Sequence, residues 1–172
     1  KVLRAGNPKG SGGNPIFKEN RAPEVWVSES PIEEILKIIC KIKELRESYD
    51  LAWKNFAILV RYNRQRLYYE EALHDAELPV AGDELEEGIV EDGIHVETVH
   101  ASKGLQYAVV FYAGLAEGLT PGECGGSRRE RKRLLDEERR LYYVGVTRAE
   151  AYLILLYCKQ RYWKGKLRNY RR

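Results

Sequence analysis

What the sequence lacks excludes several classes of protein. Its 172 residues include no methionine, three histidines and three cysteines. Cys40, Cys124 and Cys158 are odd in number and far apart, and they follow no zinc-ligand spacing. We therefore expect no metal site, no disulfide framework and a reducing, cytoplasmic environment. The missing methionine also leads us to expect a shortened chain.

Two further absences concern the membrane and the nucleotide. No apolar run approaches the roughly 20 residues that a membrane-spanning helix needs, so we expect no membrane partner. Several glycines lie near the N-terminus, but no Gly-Lys-Ser/Thr follows them at the spacing of a phosphate-binding loop. The sequence therefore predicts no phosphate loop of its own.

The distribution of charge and turn residues divides the chain into three parts. Residues 1–23 are rich in glycine and proline and are predicted to be a linker or irregular segment. Residues 24–158 are long enough for one domain with a core. Residues 159–172 carry seven Lys or Arg and no acid, in a chain whose net charge is +3. The aromatic residues of this tail favour nucleic-acid stacking, but a solvated terminus or a surface for another domain explains the same composition.

Apolar runs and helical stripes alternate through the middle of the chain. Strands are predicted at residues 25–27, 56–60, 95–99, 108–113 and 151–157, and helices at 31–47, 64–76 and from 128 onward. Ser30 is predicted to cap the first helix in a capping box with Glu33, and Asn63 to cap the second. Residues 79–93 are acidic and are predicted to be an exposed connection. This order predicts an α/β fold with a mostly parallel sheet flanked by helices.

The third predicted helix carries residues that do not suit an apolar face. At 100° per residue, one stripe contains Leu134, Leu135, Leu141, Tyr142 and Ala149. Glu138 and Gly145 lie on the same stripe, and Arg148 lies at its edge. A partly buried ion pair and a functional role are both compatible with this pattern.

Polar residues follow two of the predicted strands. Arg61 comes directly after residues 56–60, and the sequence HASKG at residues 100–104 follows the strand at 95–99. In open α/β sheets, ligands bind beyond the carboxyl ends of the strands. We therefore expect these residues and the end of the third helix to form one face of a cleft, although a loop arginine is often only a solvated charge.

Three segments resemble motifs of one known family, in the family's order. AILVRYN at residues 57–63, with EEAL at 70–73, resembles motif IV of the UvrD/Rep/PcrA-like superfamily-one DNA helicases. TVHASKGL at residues 98–105 and the segment that follows it resemble motif V. EERRLYYVGVTRA at residues 137–149 resembles motif VI. The resemblance implies the second RecA-like motor domain of such a helicase, called 2A, with a P-loop-NTPase-like fold that lacks its own phosphate loop.

The resemblance also implies roles for residues of the nucleotide cleft. Arg61 and Arg148 match the arginines that reach the γ-phosphate of ATP from across the cleft, where they stabilise the charge of the transferred phosphoryl group. The phosphate loop and the Mg²⁺ ligand are expected in the N-terminal motor domain of the same protein. Gln106 stands where the family usually has a glutamate that contacts the nucleotide sugar. Val60 stands where the family commonly has an aromatic residue that stacks on adenine.

Motif V implies the contact with DNA. Thr98, His100 and Lys103 match the region that binds single-stranded DNA, or a junction of single and double strands, and links it to the nucleotide. Many relatives insert a helical domain, called 2B, between motifs IV and V, where this chain has only residues 79–93.

The implied activity is that of an ATP-dependent 3′-to-5′ DNA helicase or translocase. The chain alone is expected not to hydrolyse ATP, because half of the active site lies in the other motor domain. Two alternatives remain: the motor subunit of a helicase–nuclease, and a module that only binds nucleic acid or a partner protein.

Overall fold

The computed structural model describes residues 22–85, 88–116, 126–163 and 166–169. The residues outside this part of the chain include 1–21 of the predicted linker, residues 117–125, and Tyr170 of the tail. No helix among the described residues is long and apolar enough to cross a membrane.

Five parallel strands form the central sheet, which confirms the predicted α/β fold with helices on its faces. The strands are β1 (Glu24–Ser28), β2 (Phe56–Val60), β5 (His95–Thr98), β6 (Tyr107–Tyr112) and β7 (Ala149–Cys158). They lie in the order β1-β7-β6-β2-β5, and every pairing between neighbours is parallel. The strands β2 and β6 are buried along their whole length, as continuous apolar runs in a sheet covered on both faces require.

Helices cover the two faces of the sheet. Helices α1 (Pro31–Tyr49) and α2 (Asn63–Asp75) pack on one face with the larger apolar cluster. Helix α3 (Arg128–Val146) packs on the other face, against a cluster that includes Leu59, Val110, Tyr112 and Leu153. Helix α3 lies over β6 and β7, the two strands that it contacts.

The start of α1 confirms the predicted cap and corrects two details. The Glu33 N–H donates to Ser30 Oγ at 3.2 Å, but the Glu33 carboxylate accepts from the N–H of Glu29 instead of Ser30. The apolar pattern of α1 also predicts a buried stripe that includes Ile32, Ile35 and Leu36, and this prediction was wrong in part, because Ile32 and Leu36 are 67% and 55% exposed. The buried face of α1 is rotated away from both, toward Glu34, Ile35, Ile38, Ile39, Ile42 and Leu45.

The start of α2 lies one residue earlier than predicted. Asn63 is the first helical residue and therefore does not cap the helix. The side chain of Gln65 instead accepts a hydrogen bond from the N–H of Tyr62 at 3.0 Å. A free N–H at the helix end is satisfied in this way.

The acidic connection between α2 and β5 is more ordered than predicted. It contains two short antiparallel strands, β3 (Glu84–Leu85) and β4 (Gly88–Ile89). Its ends are joined by a parallel bridge between Val80 and Ile94, both buried. A Cβ at Gly93 would lie 2.4 Å from the backbone nitrogen of Ala81, so only glycine fits there. The hairpin is therefore anchored in the core at its base.

The predicted tail and the predicted α3 stripe also differ from the structure. Residues of the tail form an antiparallel hairpin of β8 (Gln160–Trp163) and β9 (Lys166–Asn169). In α3, Leu134, Leu135 and Tyr142 are 37–40% exposed, and only Gly145 and Val146 are buried. The stripe prediction was therefore wrong for Leu134, Leu135 and Tyr142, because α3 buries residues against the sheet only near its C-terminal end.

Candidate functional site

An ion pair joins the end of β2 to the middle of α3. Arg61 follows β2, and its Nη2 lies 2.8 Å from Oε1 of Glu138, while its Nε lies 3.2 Å from the same oxygen. The side chains of Arg61 and Glu138 are only 19% and 15% exposed. The ion pair with Arg61 therefore explains why a carboxylate lies on the packed side of the helix.

The surroundings of Arg61 keep it charged. Burial lowers the pKa of Arg61, but the hydrogen bond and the charge of Glu138 outweigh burial and raise the pKa overall. The guanidinium carbon also lies 4.9 Å from the ring centroid of Tyr62, in cation–π range. The site thus contains a permanent cation with a carboxylate on one edge and an aromatic ring nearby.

Gly145 owes its place in α3 to a tyrosine of the sheet. A Cβ at this position would lie 2.5 Å from Cε1 of Tyr112, a residue that is fully buried in β6. Tyr142 stacks on the same ring, with 5.7 Å between the ring centroids. Burial raises the pKa of Tyr112, and the charge of Glu138 raises it further, so its hydroxyl stays protonated. The glycine lets α3 approach the sheet closely enough for Glu138 to reach Arg61.

Arg148 lies between α3 and β7 and is held entirely by neutral oxygens. Its Nε donates to the Val144 carbonyl at 3.0 Å, its Nη1 to the Leu105 carbonyl at 2.7 Å, and its Nη2 to Thr147 Oγ1 at 3.1 Å. No carboxylate in the described part of the chain lies within ion-pair distance of this guanidinium. Arg148 is thus an oriented cation without a counter-ion, which suits it to bind an anion.

The two arginines do not lie at the same edge of the sheet. Arg61 follows the carboxyl end of β2, whereas Arg148 precedes the amino end of β7. Between Glu138 and its end at Val146, α3 advances eight residues, or about 12 Å. The expected cleft face is therefore not a single row of strand ends, because it extends along α3 from one edge of the sheet to the other.

The loop after β5 connects the surroundings of the two arginines. Thr98 pairs with Val60, next to Arg61, and the Val99 N–H donates to the Val60 carbonyl at 2.9 Å. At its other end, the loop supplies the Leu105 carbonyl to Arg148. Residues 99–106 therefore start beside one arginine and end beside the other.

Hydrogen bonds within this loop fix its shape. Thr98 Oγ1 accepts from the Ala101 N–H at 3.3 Å, and the buried hydroxyl of Ser102 donates to the Val99 carbonyl at 3.0 Å. Gly104 has a φ of 90°, a conformation that favours glycine. The side chains of His100 and Lys103 are exposed. The loop thus presents two basic side chains to solvent from an ordered turn.

Gln106 lies close to Arg148 through its neighbours in the chain. The residue before it, Leu105, accepts from the Arg148 guanidinium, and the N–H of Tyr107 after it donates to the Arg148 carbonyl at 2.9 Å. The Gln106 side chain is exposed. The structure therefore brings Gln106 and Arg148 together and keeps Arg61 apart from both.

The sequence did not single out Tyr62 and Tyr112, two residues of this site. Tyr112 belongs to an apolar strand, and nothing in that pattern distinguishes it from a core residue. For Tyr62, its position directly after Arg61 was an available signal. Among the described residues, no group of three His, Cys, Asp or Glu is arranged to hold a metal ion, so no residue here is assigned to Mg²⁺.

The sequence of this chain is similar to sequences of known DNA helicases. Residues 80–160 match the family model of the UvrD-like helicase C-terminal domain. A probable DNA helicase II homolog of Mycoplasma capricolum is 34% identical over 164 residues, covering 86% of this chain and 22% of that protein. The ATP-dependent DNA helicase Rep of Buchnera aphidicola subsp. Baizongia pistaciae is 30% identical over 161 residues, covering 81% of this chain and 24% of Rep. The chain spans less than a quarter of the length of these relatives.

Two further proteins are similar to this chain. The ATP-dependent DNA helicase PcrA of Bacillus subtilis is 43% identical over 81 residues, covering 47% of this chain and 11% of PcrA. Among solved structures, the C-terminal domain of a possible DNA helicase from Lactobacillus plantarum matches with a TM-score of 0.58. It is 19% identical, and the match covers 79% of this chain and 73% of that chain. At this identity, the structural match shows the fold alone.

Proposed function

The chain belongs to the UvrD-like helicase C-terminal domain family, and we propose that it is the second motor domain of an ATP-dependent DNA helicase. In this proposal, the nucleotide lies between this domain and an N-terminal motor domain of the same protein. The partner domain supplies the phosphate loop, and Mg²⁺, where bound, neutralises phosphate charge from that side. The direction of movement is 3′ to 5′, and the protein works in the cytoplasm.

The observation that carries the proposal is the state of Arg148. A planar guanidinium that is oriented by three neutral oxygens keeps its full charge and two free N–H groups. Such a group stabilises negative charge that develops on a phosphoryl group, and it needs no reorganisation when the reaction occurs. We assign Arg148 to the γ-phosphate on this basis, and Gln106 beside it to the nucleotide sugar.

Arg61 is the second arginine assigned to the γ-phosphate. Its guanidinium stays paired with Glu138, at the other edge of the sheet from Arg148. Contact of both arginines with one phosphate therefore requires a rearrangement within this domain. Such a rearrangement would let the motor domain distinguish ATP from ADP, because only ATP offers the γ-phosphate to both cations.

The loop at residues 98–106 is assigned to DNA. In the proposal, Thr98, His100 and Lys103 bind the phosphates of single-stranded DNA, including the strand at a junction with a duplex. Since the same loop starts beside Arg61 and ends at the carbonyl that holds Arg148, a shift of the loop on DNA binding would move the arginines. This connection supports the coupling of DNA binding to ATP hydrolysis.

The test uses Arg148→Ala in the full-length protein, with Arg140→Ala as the matched control. Arg140 is an exposed arginine on the same helix. DNA-stimulated ATP hydrolysis should fall by about a thousandfold or more in Arg148→Ala, as it does when an arginine finger is lost. Binding of single-stranded DNA should persist, and Arg140→Ala should behave like the parent.

The outcomes separate the proposed helicase from its alternatives. Hydrolysis at the parental rate in Arg148→Ala would remove the catalytic assignment and favour a module that only binds nucleic acid. A nuclease activity that depends on ATP hydrolysis by the same polypeptide would identify the motor part of a helicase–nuclease.

A further inference from the structure

The first two turns of α3 carry cations that the described part of the chain leaves without a partner. Four basic residues there are exposed, and their side chains make no ion pair or hydrogen bond with a described residue: Arg128, Arg129, Arg131 and Lys132. These four residues are here called the basic surface. The carboxylates of the helix are all engaged elsewhere, three of them in the pairs Asp136–Arg139, Glu137–Arg133 and Glu138–Arg61, and the fourth, of Glu130, with Ser127.

The stability of α3 does not account for the basic surface. The amino end of a helix is the positive end of its dipole, so cations in the first turns destabilise the helix. Arg128 and Lys132 are four residues apart and repel each other as like charges. The capping box of Ser127 and Glu130 already fixes the start of the helix without them. Cations that cost stability and have no partner suit the binding of an anion from outside the domain.

The basic surface extends beyond the carboxyl edge of the sheet. Helix α3 ends at Val146, just before the amino end of β7, so its first residues lie toward the opposite edge. Glu138 lies at that carboxyl edge, because it pairs with Arg61 after β2. The ten residues before Glu138 continue about 15 Å past this point. Thr98, where the loop assigned to single-stranded DNA begins, lies at the same edge beside Val60. The basic surface and the start of that loop are thus on the same side of the domain.

We propose that the basic surface binds the phosphate backbone of duplex DNA, at the place where the duplex meets the single strand held by the loop at residues 98–106. Arginine and lysine bind phosphate oxygens without reading a base, so the contact is independent of sequence. The inference rests on the proposed function in taking DNA as the substrate. It adds a second DNA site, since none of the four residues has a role in that function.

The arrangement of the cations around the helix favours a duplex over a single strand. At 100° per residue, Arg129 and Arg131 point about 160° apart, and Arg128 and Lys132 lie on the arc between them. One strand of DNA offers a single row of phosphates and would reach one side of this arc. A duplex offers two rows, on the two walls of a groove, and its major groove is wide enough to admit an α-helix. The basic surface can therefore meet phosphates on both sides.

The first experiment removes the two opposed arginines in the full-length protein, as Arg129→Gln/Arg131→Gln. The control is Lys43→Gln/Lys54→Gln, which also removes two exposed cations that have no ion pair among the described residues. Fluorescence anisotropy measures the slope of log Kd against log salt for a duplex with a single-stranded extension. If each arginine contacts one phosphate, the double variant should lose about 1.8 from this slope, or about 0.9 for each contact. The control should keep the parental slope.

The same measurement on the single strand alone separates the two sources of phosphate. The double variant should bind the single strand with the parental slope, because the loop at residues 98–106 is unchanged. An equal loss on both DNAs would overturn the duplex assignment, and so would a parental slope on both. Arg129→Gln and Arg131→Gln should each cause about half of the double variant's loss, since each removes one contact. A loss confined to one of them would refute contact with two rows of phosphates.

Thermal unfolding tests the main alternative partner, an acidic surface elsewhere in the same protein. If the basic surface binds DNA, the double variant without DNA should unfold at or above the parental temperature, since it loses only unpartnered cations near the positive end of α3. Unfolding well below the parental and control temperatures, together with parental salt slopes, would assign the cations to the acidic surface and overturn the inference. Failure of the proposed function looks different: Arg148→Ala would then hydrolyse ATP at the parental rate, whatever the salt slopes of the double variant.

Discussion

Gly145 of α3 lies against the ring of Tyr112 in β6 so closely that a Cβ at position 145 would be 2.5 Å from Cε1 and 3.0 Å from Cζ of that ring. The tyrosine is fully buried and is stacked on Tyr142, so its ring has little room to withdraw. The separation between α3 and the sheet at this point is therefore set by the absence of a side chain.

This contact predicts that Gly145→Ala destabilises the domain. In an exposed helix, the same change would stabilise by up to about 1 kcal/mol, but the overpacked contact should cost about 1–3 kcal/mol and reverse the sign. Urea unfolding of the parent and the variant measures the difference. The double variant Gly145→Ala/Tyr112→Leu, which removes the ring, should lose less stability from the alanine than the parent does. A more stable Gly145→Ala would refute the packing argument.

A second prediction concerns the buried hydroxyl of Tyr107. Burial raises the pKa of Tyr107 to about 12, with a further rise from the charge of Glu97 and an opposing effect of Arg148. In the unfolded chain, tyrosine titrates near pH 10. Since the folded state holds the proton more tightly, its contribution to stability is complete below about pH 10 and is lost as the pH rises from about 10 to 12.

The measurement is the free energy of unfolding between pH 8 and pH 12, compared for the parent and Tyr107→Phe. The variant should show a smaller decline over the upper part of this interval. Tyr62→Phe serves as a control, because Tyr62 is only partly buried. Equal slopes for Tyr107→Phe and the parent would show that Tyr107 does not contribute to the alkaline loss of stability.

Much of the fold could be predicted because the sheet strands are local patterns. A run such as residues 56–60 has no polar residue, which is typical of a strand covered on both faces. The stripes of the helices were predicted less well, since Leu134 and Ile32 are apolar but exposed. Periodicity shows which residues share a side of a helix, but it does not show how far the helix lies along the sheet.

The site shows the same limit. Glu138 and Gly145 were recognisable as misfits on an apolar stripe, but their partners, Arg61 and Tyr112, are 77 and 33 positions away in the sequence. Nor could the sequence show that Arg148 precedes the amino end of β7 while Arg61 follows the carboxyl end of β2, because that requires the direction of every strand. The roles of these residues stay predictions.

A third prediction addresses the isolated chain. Residues 1–172 contain no phosphate-loop pattern, and the described residues offer no cluster for a metal ion. We therefore expect the purified chain to hydrolyse no ATP, with or without single-stranded DNA. A sensitive assay of phosphate release measures this, with Arg148→Ala as the background. Release that depends on DNA and disappears in Arg148→Ala would contradict the two-domain site.

The last prediction concerns Lys103 in the loop after β5. If its ammonium group contacts a DNA phosphate, binding releases a counterion there, and Lys103→Ala should lower the slope of log Kd against log salt by about 0.7 for a single strand. The affinity should fall similarly for different DNA sequences, because a phosphate contact reads no base. Lys43→Ala is the matched control, since Lys43 is an exposed lysine on α1, on the opposite face of the sheet from α3. Fluorescence anisotropy with labelled single strands over a range of salt concentrations gives both slopes. If both variants have the same slope as the parent, Lys103 does not contact the phosphate backbone. The DNA must then bind at other residues.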